Sequence, residues 1–90
     1  MHKFLVTFED LAEEPSSELS VSIRTKLEQN SEKWFQIFPV QVAIKTDLDL
    51  ENLVEILKPE ISKTRISIAE VSQSYFSDTN SKYLSEQYDF

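Results

Sequence analysis

Pro39 interrupts a stretch that otherwise reads as sheet. In the run IFPVQVAIKTDLDLENL, residues 37–53, it follows Ile37 and Phe38 and precedes Val40, Val42 and Ile44, which alternate with Gln41, Ala43 and Lys45. Proline has no N–H to donate to a neighbouring strand, so it is confined to turns, bulges, sheet edges and first strand positions. Two readings meet that constraint. Either two antiparallel strands are joined at or near Phe38-Pro39-Val40, or one long edge strand carries a bulge. The first is the one carried forward, with Val40, Val42 and Ile44 inward and Gln41, Ala43 and Lys45 outward.

The rest of the chain supplies partners for that pair of strands. Residues 3–8 alternate, with Phe4, Val6 and Phe8 on one face and Leu5 and Thr7 on the other. Pro15, Ser16 and Ser17 then precede Leu19, Ile23 and Leu27, one face of a helix that should stop near Gln29-Asn30-Ser31. Residues 33–38 are aromatic and β-prone. Asp49 is placed to cap a second helix, with Leu48 and Leu53 spaced as a hydrophobic staple. Its stripe is Leu50, Leu53, Val54 and Leu57; Pro59 should end or kink it, with Ile61 still packing down. Ile66 and Ile68 mark a last core strand, whose alternation slips between Ala69 and Val71.

The order β-α-β-β-α-β predicts an α+β, ferredoxin-like fold: a four-stranded antiparallel sheet with two helices on one face. Residues 1–78 are expected to form one domain. Residues 79–90 form a C-terminal extension that packs on the domain or on a partner, with Tyr83, Leu84 and Gln87 on one side of a short helix.

Composition removes several classes of function. The 90 residues hold no cysteine, so disulfides, thiolate metal sites and cysteine nucleophiles are all excluded. A small secreted domain usually needs such staples, which points to a cytoplasmic protein. No apolar run approaches the ~20 residues of a membrane span, and the start MHKFLV is too soon interrupted for a signal peptide. Glycine is absent, which excludes the glycine-dependent phosphate loops. Sixteen acids against nine bases give −7, the wrong sign for broad phosphate neutralisation. Net charge does not report distribution, so a local basic patch stays open.

Three stretches carry a family resemblance: KFLVTFED at residues 3–10, Lys33-Trp34 through Ala43-Ile44-Lys45-Thr46-Asp47, and LKPEI at 57–61 followed by RISIA at 65–69. Together with the tail YFSDTNSKYLSEQ, they resemble the SinR-like proteins. These are small proteins similar to the nuclease-like subunit of the CRISPR spacer-acquisition complex. The resemblance implies a ferredoxin-like homodimer. It also implies an acid closing the first strand after an aromatic residue, associated in the wider family with divalent-metal-dependent cleavage of nucleic acid. Phe8 takes the aromatic place and Glu9 stands where the family has aspartate; Asp10 fits only with a one-residue slip. The longer glutamate arm displaces a bound cation, so the expectation is a protein that is catalytically weak or silent.

The candidate catalytic and metal residues are therefore Glu9 and Asp10, holding Mg²⁺ or Mn²⁺ if any ion; the bland reading is a solvated acidic loop. Glu13 and Glu14 read as loop charge. His2, the sole histidine, stands at a terminus expected to fray. Trp34 and Phe35 suit a stacking platform, against core or dimer packing. Lys33, Lys45, Lys63 and Arg65 flank strand ends as a small basic rim. Trp34, Lys45 and Arg65 are the candidate contacts to nucleic acid or a partner. The reading carried forward is an acidic homodimeric binding or scaffold protein. The alternatives are a metal-dependent endonuclease on RNA or DNA, or an acidic inhibitor of antitoxin type.

Overall fold

A computed structural model describes residues 2–9 and 17–72. Their elements follow the expected order: β1 (His2–Phe8), α1 (Glu18–Gln29), β2 (Lys33–Phe38), β3 (Gln41–Thr46), α2 (Leu50–Ile61) and β4 (Ile66–Glu70). The four strands form one sheet in the order β2-β3-β1-β4, and every neighbouring pair is antiparallel. Asp10, Glu13, Glu14 and the whole predicted C-terminal extension, including Tyr83, Leu84 and Gln87, lie outside the described residues.

Pro39 lies in the turn between β2 and β3, so the chain reverses there. Gln36 pairs with Val42 and Phe38 with Gln41, which leaves Ile37 as an extra residue in a bulge. With no glycine to supply a left-handed turn residue, the hairpin is closed by a proline next to a bulge. The guanidinium of Arg24 donates to the Pro39 carbonyl at 3.1 Å and ties α1 to the turn.

Both helices cover the same face of the sheet. Phe4, Val6 and Phe8 of β1 and Val42 and Ile44 of β3 form one core with Ile23, Leu27, Leu53 and Leu57. Leu19, Val40, Leu48, Ile66 and Ile68 pack against its margin. Ser17 caps α1 by accepting from the Ser20 N–H at 3.1 Å, and Asp49 caps α2 by accepting from the Asn52 N–H at 2.9 Å. Each cap satisfies a backbone donor that the first helical turn leaves without a carbonyl.

Four expectations need correction. Pro59 does not end α2, which runs on to Ile61; a proline in the last turn costs one bond, from its missing N–H to Glu55, and the packed stripe upstream holds the helix. Ile61 and Leu50 are exposed, at 36% and 46%, because the buried arc of α2 is narrower than its apolar sequence. Ala43 is fully buried although it faces away from the helices. His2 belongs to β1, where its imidazole bonds the Glu70 carboxylate and stacks on Phe4 with ring centroids 5.7 Å apart.

Candidate functional site

Strand alternation sends the core residues toward the helices and their neighbours the other way. The register then sorts the helix-free face into rows. Lys45 stands opposite both Lys33 and Lys3, so three lysines line up across β2, β3 and β1. The next row is apolar and crosses all four strands: Phe35, Ala43, Leu5 and Ala69. The third row is neutral, with Phe38 opposite Gln41, the Gln41 amide donating to the Thr7 hydroxyl at 3.0 Å, and Ser67 beyond. No aspartate or glutamate occupies these positions.

The lysine row has an energetic meaning. Neighbouring strands lie about 4.8 Å apart, so the three stems fall within about 10 Å. Like charges directly opposite one another weaken strand pairing.

Burial alternates along β2. Lys33, Phe35 and Ile37 are half-buried, whereas Trp34, Gln36 and Phe38 are exposed. Trp34 and Gln36 pair with the core residues Ile44 and Val42 on the helix side, whereas Phe38, past the bulge, pairs with Gln41 on the helix-free side.

Glu9 sits at the other end of the sheet, just past β1. Its N–H donates to the Arg65 carbonyl at 3.0 Å, and its own carbonyl accepts from the Thr64 hydroxyl. Its carboxylate lies 3.9 Å from the Arg65 guanidinium, and the two rim a shallow depression shared with Phe8 and Ile66. Among the described residues no three histidine, cysteine, aspartate or glutamate side chains converge as metal ligands. One exposed carboxylate beside a guanidinium does not make the multi-oxygen shell that Mg²⁺ or Mn²⁺ takes, so Glu9 by itself supports no metal-dependent step.

The sequence candidates are thus dispersed. Trp34 lies on the helix side of β2 and Phe35 on the helix-free side, so they do not form one stacking platform. Lys45 is central in the cation row, while Arg65 and Lys63 are at the opposite end of the sheet. Lys3 was missed. Its place before Phe4 in the alternation, combined with the pairing of the first and third strands, is the signal that puts it beside Lys45.

One further charged group was not foreseen. Glu60 is 5% exposed, yet it accepts from Lys26 Nζ at 2.8 and 2.9 Å and from the Ser22 hydroxyl at 3.0 Å. Burial pushes its carboxyl up, but the Lys26 and Ser22 hydrogen bonds outweigh this and hold it below the usual glutamate range. The cluster clamps α1 to α2 on the far side from the lysine row. Its sequence signal is position: Glu60 falls three residues after Leu57, on the buried stripe.

No helix among the described residues is long and apolar enough to cross a membrane. No protein-family model, curated protein or solved structure matches this chain.

Proposed function

We propose that this chain is a binding module that holds an acidic, aromatic-bearing protein segment on the helix-free face of its sheet. The observation that carries the reading is the row Lys33-Lys45-Lys3 beside the apolar row Phe35-Ala43-Leu5-Ala69. Carboxylates meet the first row and apolar rings the second. A protein segment suits this face better than nucleic acid does. Three lysines in a chain of net charge −7 neutralise few phosphates, and the remaining surface repels a polyanion.

The same reading takes the fold as ferredoxin-like, which the element order and the antiparallel order β2-β3-β1-β4 support. It keeps the kinship with the SinR-like proteins as a proposal, resting on the quoted residue patterns. It takes the protein as a catalytically weak or silent homodimer that self-associates through β2, the edge of the described sheet.

Retention on an immobilised random copolymer of glutamate and tyrosine tests the binding role. The wild-type chain is retained at low salt and released by salt, and Lys45→Glu is not retained. Equal retention of both proteins overturns the reading. So does cleavage of RNA or DNA in Mg²⁺ or Mn²⁺ that Glu9→Ala abolishes, because that result restores the endonuclease alternative.

A further inference from the structure

We infer that β4 takes up an extended segment of a partner protein as an added strand, seated under the outer flank of α2. The site lies at the edge opposite β2 and goes beyond the binding role proposed above. Three observations carry it. The first is an open ladder. The Glu9 N–H donates to the Arg65 carbonyl at 3.0 Å and the Val71 N–H to the Lys3 carbonyl at 2.9 Å, so the odd-numbered residues of β4 are the ones that bond β1. The N–H and C=O groups of Ile66, Ile68 and Glu70 therefore point out of the sheet, and among the described residues nothing bonds them. β4 has no proline, lysine or bulge to guard them.

The second is an apolar wall above that ladder. α1 packs over β2 and β3, and α2 packs over β4. Ser22 and Lys26 of α1 reach Glu60, and Lys26 also reaches the Ile56 carbonyl, so that flank of α2 faces α1. At 3.6 residues per turn, Leu50, Val54 and Ile61 fall on the other flank, which overhangs the β4 edge. Leu50 and Ile61 are 46% and 36% exposed, and Ile66 and Ile68 beneath them are half-buried. A strand whose alternate side chains turn toward the helices fits this step.

The third is charge, which selects the occupant. Lys63 and Arg65 are exposed where β4 begins, and the one carboxylate beside them is Glu9, 3.9 Å from the Arg65 guanidinium. An antiparallel segment brings its C-terminal end to that point. The fitting partner therefore has alternating apolar residues followed by acids. A second copy fits less well, because the dimer proposed above uses β2 and a further copy at β4 would extend the sheet into an open-ended chain.

The probe is a dye-labelled peptide, Thr-Val-Thr-Val-Thr-Val-Glu-Glu, whose valines stand opposite Ile66, Ile68 and Glu70. Binding to the full chain is expected to slow hydrogen exchange at the amides of those three residues at least about tenfold. A peptide N-methylated on its threonines should bind equally, and one N-methylated on its valines should not bind, because only the valine N–H groups face β4. Leu50→Lys with Ile61→Lys, both at exposed positions, should weaken binding about tenfold. Lys45→Glu should bind the peptide as wild type does, which separates this site from the lysine row. Equal binding of the two methylated peptides, or no slowing at the three amides, overturns the inference. Slow exchange at those amides without peptide also overturns it: in favour of a second copy where the slowing grows with protein concentration, and of the chain's own cover where it does not.

Discussion

Lys3 and Lys45 face each other directly across β1 and β3, and Lys45 faces Lys33 across β3 and β2 in the same row. The apolar row alongside fits the proposed binding role, because an amphipathic segment with carboxylates and rings would meet both rows at once. The net acidity of the chain and this local cationic strip are therefore compatible. Among the described residues the acids lie on the helices, in the loops and, at Glu70, on the helix side of β4, outside the strand positions of the helix-free face.

Reversing the central charge tests the row as a unit. Lys45→Glu leaves one net positive charge in place of three. Retention on the acidic copolymer is expected to be lost, and Lys45→Met, which removes the charge alone, is expected to weaken it about fivefold, the effect of ~1 kcal/mol. Equal salt release of wild type and both variants separates binding from the row.

The Glu60 cluster gives a pH-dependent stability with a definite sign. The folded carboxyl is held below the value it has in the unfolded chain, so the ionised form favours the folded state. That contribution is full above the ordinary glutamate range and is lost as pH falls through the folded value. Glu60→Gln is expected to lower stability by about 1–3 kcal/mol at neutral pH. The gap between variant and wild type in urea unfolding then closes in acid. A gap that widens on acidification contradicts the assignment.

Two prolines in different settings should respond in opposite directions to alanine. Pro39 lies in the hairpin turn, where its ring restricts the unfolded chain, so Pro39→Ala is expected to cost about 0.4–1 kcal/mol. Pro59 lies inside α2 and leaves the Glu55 carbonyl without its helical donor. Pro59→Ala restores that bond and is expected to add about 1 kcal/mol, part of the helix gain being offset by a freer unfolded chain. Urea midpoints of the two variants, measured side by side, check both signs.

The fold was legible where period and punctuation agreed. Phe4, Val6 and Phe8, then Val42 and Ile44, alternate without ambiguity, and Pro39 leaves few places for the chain to reverse. Asp49 and Leu48 announced α2 because a cap and a staple are local devices. The errors arose where a tertiary contact overrules the local pattern. Leu50 continues an apolar stripe but lies beyond the arc that the sheet covers. Glu60 breaks the stripe by charge and is buried nonetheless, because Lys26 and Ser22 come from another helix. The lysine row was half-legible. Lys33 and Lys45 stand out in the sequence as a rim at strand ends, but only the register shows them opposite each other, with Lys3 completing the line.

The last prediction concerns assembly. β2 is at the edge of the four described strands, with Trp34 and Phe38 exposed along it. Natural edges are usually guarded by charge, proline or a covering element. Here Pro39 and the bulge at Ile37 guard one end, and residues 33–36 pair with β3 in regular register. Antiparallel pairing of β2 with its symmetry mate would join two sheets into one of eight strands and shelter both aromatics, a self-complementary contact of the kind two-fold dimers use. Light scattering at micromolar concentration should give twice the chain mass. Trp34→Ser with Phe38→Ser should weaken the dimer at least about 30-fold, the loss of ~2 kcal/mol typical of a central aromatic anchor. Trp34 lies on the helix side of β2, so retention on the acidic copolymer should survive Trp34→Ser alone. A wild-type monomer at that concentration refutes the dimer. A double variant that stays dimeric but loses the copolymer places Phe38 in the binding surface instead.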